Sequence, residues 1–146
     1  AHWQWIAKIK EQVSVPITAN GEIWTIEDYK KCQQVSDCDD IMLGRGAVAS
    51  PDLALQIKSL AAGKEITIGD WHTRLHDMLR MIQETNDCGN NKFAAGRIKQ
   101  WLVYFQKSYP QAIAFFQQAK RIKTSLQMID LLEQEISNQV SGKPSA

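Results

Sequence analysis

Two short apolar runs, each ending in a glycine turn, constrain this chain more than any other feature. Pro16-Ile17-Thr18-Ala19 runs into Asn20-Gly21-Glu22, and Ile41-Met42-Leu43 runs into Gly44-Arg45-Gly46. Both runs are too short for helices and read as buried strands. A helix start follows each turn, so the order strand, glycine turn, helix occurs twice, which is the parallel βα pattern. Two strands alone do not make a stable parallel sheet, because both faces and both edges need covering. Residues 1–63 are therefore expected to be the tail of a larger barrel or open sheet whose earlier strands lie upstream. The open strand edges also predict association with a second copy of the chain.

Around these runs the apolar periodicity is helical. Trp5, Ile6, Ile9 and Val13 predict an amphipathic helix leading into the first run. Thr25 is positioned to N-cap the next helix, with Asp28 three residues on as the second half of a capping box and Trp24 with Tyr29 as a staple. This helix is predicted to reach about Val35. After the second run, Ser50-Pro51 predicts an N-cap serine and N1 proline for a helix over 52–61 that stops at Gly63. Lys64–Gly69 reads as a linker.

From Asp70 onward the pattern is helical throughout. Trp71, Leu75, Met78, Leu79 and Ile82 form one stripe, and Phe93, Ala94, Ile98, Trp101, Leu102 and Phe105 a second. Ile113, Phe116, Ala119 and Ile122 form a third, and Leu126, Ile129, Leu132 and Ile136 a fourth. Four such stripes joined by short loops predict an antiparallel helical bundle.

No apolar run is long enough for a membrane span, and no signal-peptide pattern opens the sequence. The three cysteines, Cys32, Cys38 and Cys88, lack metal-ligand spacing, which fits a reduced, cytoplasmic protein. A net charge of +1 conceals an asymmetry: residues 1–65 carry 7 Lys/Arg and 9 Asp/Glu, and residues 66–146 carry 10 and 7. Between Asp87 and Asp130 there is no acidic residue, but Lys92, Arg97, Lys99, Lys107, Lys120, Arg121 and Lys123 are all present. A solvated surface ordinarily mixes both signs, so this interval is a candidate polyanion surface. Along 92–106, Lys92 and Lys99 fall on the face opposite the apolar stripe, with Arg97 and Lys107 on its flanks. Such a row of long cations can follow a phosphate backbone or simply be a solvated basic face.

The two glycine turns are the other candidate site. Glycine lets backbone approach an anion closely, and a following helix N-terminus adds its dipole. The same glycines also serve plain tight βα turns. Two turns on consecutive strands match the recurrent phosphate site of (β/α)8 barrels, at the C-terminal ends of the last strands. Asn20 and Glu22 can add hydrogen bonds there. Arg45 can meet a phosphate or pair with a nearby acid. His72 and His76, four apart, lack the glutamate of a zinc-protease helix, so no metal site is expected.

ITANGEI, followed about two dozen residues later by DDIMLGRGAVASPDL, resembles the last two strands of the flavin-dependent tRNA-dihydrouridine synthases. AAGRIKQWLVYF is similar to the C-terminal domain of that family, and KQWL with YPQAIAFFQQAK most resembles its C-type branch, which modifies uridine 16 of the D-loop. The turn pair alone is shared with other FMN-dependent barrels; its union with this helical tail is more specific. The resemblance implies a mostly α chain in two parts. Residues 1–65 would be the C-terminal remnant of an FMN-binding (β/α)8 TIM barrel, and residues 66–146 an antiparallel four-helix bundle that recognises tRNA.

It also implies FMN as cofactor and NADPH as reductant. By position, Asn20, Gly21, Glu22, Gly44 and Arg45 would hold the FMN phosphate, and Lys92, Arg97 and Lys99 would contact tRNA. The family's proton-donating cysteine belongs to an upstream loop, and none of Cys32, Cys38 or Cys88 matches it. No catalytic residue is therefore assigned. The chain by itself is expected to be inactive and to hold FMN weakly or not at all. Alternatives are the C-terminal part of another FMN-dependent TIM-barrel oxidoreductase and a non-enzymatic helical interaction domain.

Overall fold

The structure, a computed structural model, describes residues 1–65, 67–89 and 91–142, with Asn91 and Lys92 described by their backbone alone. It divides into two compact units, Ala1–Ile68 and Gly69–Ala146.

In the first unit, α1 (Trp3–Lys10) precedes β1 (Ala19–Asn20), α2 (Ile26–Ser36), β2 (Ile41–Met42), α3 (Arg45–Ala49) and α4 (Leu53–Ala61). The strands pair in parallel, Ala19 opposite Ile41 and Asn20 opposite Met42. The ladder is shorter than the apolar runs, because each strand has a single neighbour among the described residues. Trp3, Ala19, Ile23, Cys32 and Cys38 form the buried core beneath it. Burial pushes the Cys32 thiol up, so this cysteine is an inert core residue.

The capping box is formed as the sequence predicts. The Asp28 amide donates to Thr25 Oγ1 at 3.1 Å, and the Asp28 carboxylate accepts from the Thr25 amide at 3.1 Å and from the Trp24 amide at 3.0 Å. A cap of this kind is worth about 1 kcal/mol, and here it also fixes the chain's path between turn and helix. The far end of α2 closes on Asp37 in a left-handed conformation (φ 54°), where Lys10 Nζ pairs with its carboxylate at 3.0 Å.

The second glycine turn departs from expectation. Instead of a loop leading to a Ser50 cap, a short helix, α3, starts at Arg45 with Gly44 at its N-cap. Ser50 is its C-cap, and α4 starts beyond Asp52 without a side-chain cap. The reason lies in contact: Gly46 packs directly on the Ile23 carbonyl, so helix begins as soon as the chain leaves the strand. Gly63, at φ 63°, ends the unit's last helix as predicted.

The second unit holds α5 (Trp71–Asp87), α6 (Asn91–Phe105), α7 (Gln111–Ala119) and α8 (Ser125–Val140). Asp70 caps α5, accepting from the Thr73 amide and hydroxyl at 2.9 Å each. Those bonds, the amide's first, hold its carboxyl below the ordinary range. Trp71, Leu75, Met78 and Ile82 from α5 meet Ile98, Leu102 and Phe105 from α6 in one core.

The last two predicted stripes hold except at their first residues: Phe116, Ala119 and Ile122, and Ile129, Leu132 and Ile136, pack on the core, but Ile113 and Leu126 do not. On α7 the buried residues are Ala112, Phe115 and Ala119, while Ile113 is 51% exposed. Tyr109, buried just before the helix, sets this phase: its ring lies 5.6 Å from Phe105 and 6.2 Å from Trp71. On α8 the buried residues are Ser125, Met128, Leu132 and Glu135, while Leu126 is 72% exposed. Adjacent apolar residues there leave the periodicity ambiguous, and packing against α5 and α6 decides it. Phe93, assigned to the second stripe by its spacing, is 69% exposed at the start of α6.

Candidate functional site

Both glycine turns open onto one cavity of about 370 Å³ beyond the C-terminal ends of the paired strands. It is lined by Asn20, Gly21, Glu22, Ile23, Trp24, Met42, Gly44, Arg45 and Gly46. All five residues predicted as a phosphate site are among them. Parallel pairing brings them together: with Asn20 opposite Met42, both strands release their turns at the same level.

The first turn is built on backbone that favours glycine. Gly21 has φ 117° and Glu22 has φ 51°, two successive left-handed residues that reverse the chain. The Trp3 indole N–H donates to the Gly21 carbonyl at 2.9 Å, tying the turn to α1. Reversal throws the Glu22 side chain across to the second turn. Its carboxylate accepts from the Trp24 indole N–H at 2.9 Å and pairs with the Arg45 guanidinium. Chiefly the indole, and then Arg45, holds the Glu22 carboxyl below its usual range, so it is ionised at neutral pH. The guanidinium also lies 5.6 Å from the centre of the Trp24 ring, within cation–π reach. Of the two roles open to Arg45 on sequence grounds, pairing with an acid is the one seen. Its side chain remains mostly exposed to the cavity's solvent.

Trp24, Ile23, Met42 and Gly46 were absent from the predicted set. Trp24 follows Glu22 by two residues, and an aromatic so close to a turn acid was the available signal. Gly46 was visible as the second glycine of GRG, but its close approach to Ile23 emerges only in three dimensions.

The predicted basic row in the second unit divides. Arg97 is exposed and donates to Gln100 Oε1 at 3.0 Å. Lys99 is half-buried, and its ammonium donates to the Ile122 carbonyl at 2.7 Å, just beyond the end of α7. It therefore fastens α6 to the α7–α8 connection. The Lys92 side chain lies outside the described residues. Lys120, Arg121 and Lys123 are exposed along that same connection. His72 and His76 stack edge to face, 4.6 Å between ring centres. Among the described residues, no group of three or more His, Cys, Asp and Glu could hold a metal ion. No helix among the described residues is long and apolar enough to cross a membrane.

Paired parallel strands releasing glycine turns onto a cation-bearing cavity, followed by a helical unit with an acid-free stretch, define the class: a parallel βα scaffold with a basic helical extension. The profile of the dihydrouridine synthase (Dus) family matches residues 1–141, and the chain belongs to that family. Among curated proteins it is similar to the tRNA-dihydrouridine(16) synthase of Pseudomonas syringae pv. tomato, 47% identical over 83% of this chain and 38% of the relative. The enzymes of the same name from Pseudomonas putida and Ralstonia nicotianae are 41% and 36% identical, over 83% and 94% of the chain and 38% and 42% of the relatives. The chain thus spans about two fifths of the length of the curated relatives it matches.

Proposed function

We propose that these residues are the C-terminal part of a flavin-dependent tRNA-dihydrouridine synthase of the branch acting on uridine 16. The first unit, residues 1–65 with the start of the linker, would carry the phosphate end of an FMN site on the remnant of a TIM barrel. Residues 66–146 would be a four-helix tRNA-recognition domain. The observation that carries the reading is the convergence of both glycine turns on one cavity. Its donor set suits a phosphate monoester: backbone of Asn20–Glu22 and Gly44–Arg45, plus one exposed guanidinium.

Glu22 then has a second role. By holding Arg45 beside the Trp24 ring, it keeps the cation aimed into the cavity before a phosphate arrives. The backbone of Asn20–Glu22 and Gly44–Arg45 and the Arg45 guanidinium would hold FMN, which when bound would supply hydride to the C5–C6 double bond of uridine, with NADPH as the reductant. Cys32 and Cys38, buried in the core, have no part in proton transfer, so the proton donor belongs to the rest of such an enzyme. Used alone, the chain should reduce no uridine.

Because the contacts proposed are to phosphate, the chain should bind FMN weakly yet at least about tenfold better than riboflavin, the worth of one charge-assisted contact. Quenching of flavin fluorescence measures both, and Arg45→Ala should narrow the difference while the backbone donors keep part of it. Equal affinity for the two flavins in the unsubstituted chain would remove the assignment.

For tRNA, Arg97 and Lys99 should part company. Arg97→Glu should weaken binding and flatten its salt dependence by about one ion or more, with thermal stability unchanged. Lys99→Met leaves the Ile122 carbonyl without its donor and should cost about 1–3 kcal/mol of stability. Salt titrations of binding, run beside thermal melts, separate the two. Equal melting temperatures would show that the Lys99 bond holds nothing.

A further inference from the structure

A second cavity, of about 470 Å³, lies in the helical unit between α5 and α6, lined by Met81, Thr85, Phe93, Arg97 and Trp101. We infer that it is a stacking slot for one unpaired nucleobase of an RNA strand, with Phe93 as the stacking face and Arg97 taking the adjoining phosphate. This inference rests on the proposed tRNA reading and deepens it by naming which part of the RNA is held, and where.

Phe93, Arg97 and Trp101 stand four residues apart and form a single row along α6. Trp101 is half-buried at one end, fixed edge to face against Phe105 with ring centres 6.1 Å apart. Phe93, at the other end, leaves 69% of its surface in solvent. The Arg97 guanidinium stands between the two rings in sequence, exposed, and donates to a neutral amide, Gln100. On the α5 side, the Thr85 hydroxyl donates to the Met81 carbonyl at 2.7 Å and lies 3.5 Å from the Met81 thioether, so it is engaged within its own helix. The slot thus combines an α5 wall, an exposed aromatic and an exposed cation.

That combination fits a flat aromatic ring carrying a negative charge beside it. Bases stack on aromatic side chains whatever their identity, and arginine adds both charge and a planar face. Charge complementarity selects RNA over an amphipathic helix as the occupant. Residues 88–129 hold no carboxylate and seven cations, so the α6 side of the slot draws a polyanion, while on the α5 side the Glu84 carboxylate is paired with Arg80 at 3.8 Å.

The test compares the chain with Phe93→Ala and Phe93→Trp, using an unmodified tRNA transcript and a fully paired RNA duplex of similar length. Phe93 leaves 69% of its surface in solvent, so both variants should fold, which circular dichroism checks. Phe93→Ala should weaken tRNA binding about fivefold to a hundredfold, the loss of one stacked base. Because no charge is removed, the slope of log affinity against log salt should not change. Phe93→Trp should restore binding, and duplex binding should be the same for all three proteins. Unaltered tRNA binding by Phe93→Ala, or an equal loss on the duplex, overturns the slot while leaving the tRNA reading in place. Failure of the unsubstituted chain to bind tRNA in a salt-sensitive way overturns both. Displacement of bound tRNA by an acidic, aromatic peptide at lower concentration than by unlabelled tRNA would give the slot to a protein partner instead.

Discussion

Gly46→Ala is expected to destabilise the first unit by about 3 kcal/mol and to close its cavity. A Cβ at that position would lie 1.9 Å from the Ile23 carbonyl oxygen, 2.9 Å from the Ile23 carbonyl carbon and 3.2 Å from Trp24 Cα. All three are backbone atoms, so no side-chain rotation relieves the contact. Either α3 lifts away from the first turn or that turn moves. Both outcomes separate Arg45 from Glu22 and Trp24, which lie on opposite sides of the contact. A Cβ at Gly44 meets no heavy atom within 4 Å, so the steric penalty belongs to the second glycine of the pair. Hydrogen exchange is the direct measurement, with faster exchange expected at the Ala19 amide, which donates to the Asp40 carbonyl at 2.9 Å. Native protection there in Gly46→Ala would mean that α3 does not rest on the first turn.

Phe105→Ala should cost the helical unit about 3–5 kcal/mol. Phe105 is fully buried and meets Trp101 at 6.1 Å and Tyr109 at 5.6 Å, both edge to face. Tyr109 continues the chain of rings to Trp71, and its hydroxyl donates to the Gly69 carbonyl at 3.2 Å. Removing Phe105 therefore leaves a cavity and also frees the residue that sets the phase of α7. A loss of this size is a large share of a small domain's stability. Urea denaturation should show a lower midpoint, and Phe93→Ala is the matched comparison, a phenylalanine on the same helix with an exposed ring. Equal midpoints for the two variants would contradict the packing described.

How much was legible in the sequence depends on how local each determinant is. Thr25 and Asp28 form their box and Gly63 ends α4, because caps and stops involve residues within one turn of each other. The glycine turns were legible for the same reason. Their meeting at one cavity followed from parallel pairing, which the alternation of runs and helices already implied. What was misread involved distant partners. Ser50-Pro51 carries a helix-start signal, but α3 occupies Ser50 first because Gly46 has docked on Ile23. Ile113 and Leu126 fit an apolar period, but the ring of Tyr109 and the packing of α8 on α5 and α6 select other faces.

The sequence by itself determined the family, the two parallel strands, the helical second half and five of the residues that line the cavity at the strand ends. Those are carried by short motifs whose backbone geometry and capping chemistry act over a few residues. Only the tertiary structure decided what the long charged side chains do. Arg45 is held by Glu22 and Trp24, Lys99 is spent on the Ile122 carbonyl, and Arg97 is left beside an exposed Phe93. A lysine or arginine reaches several ångströms past its own backbone, so its partner is set by whatever the fold brings within that radius.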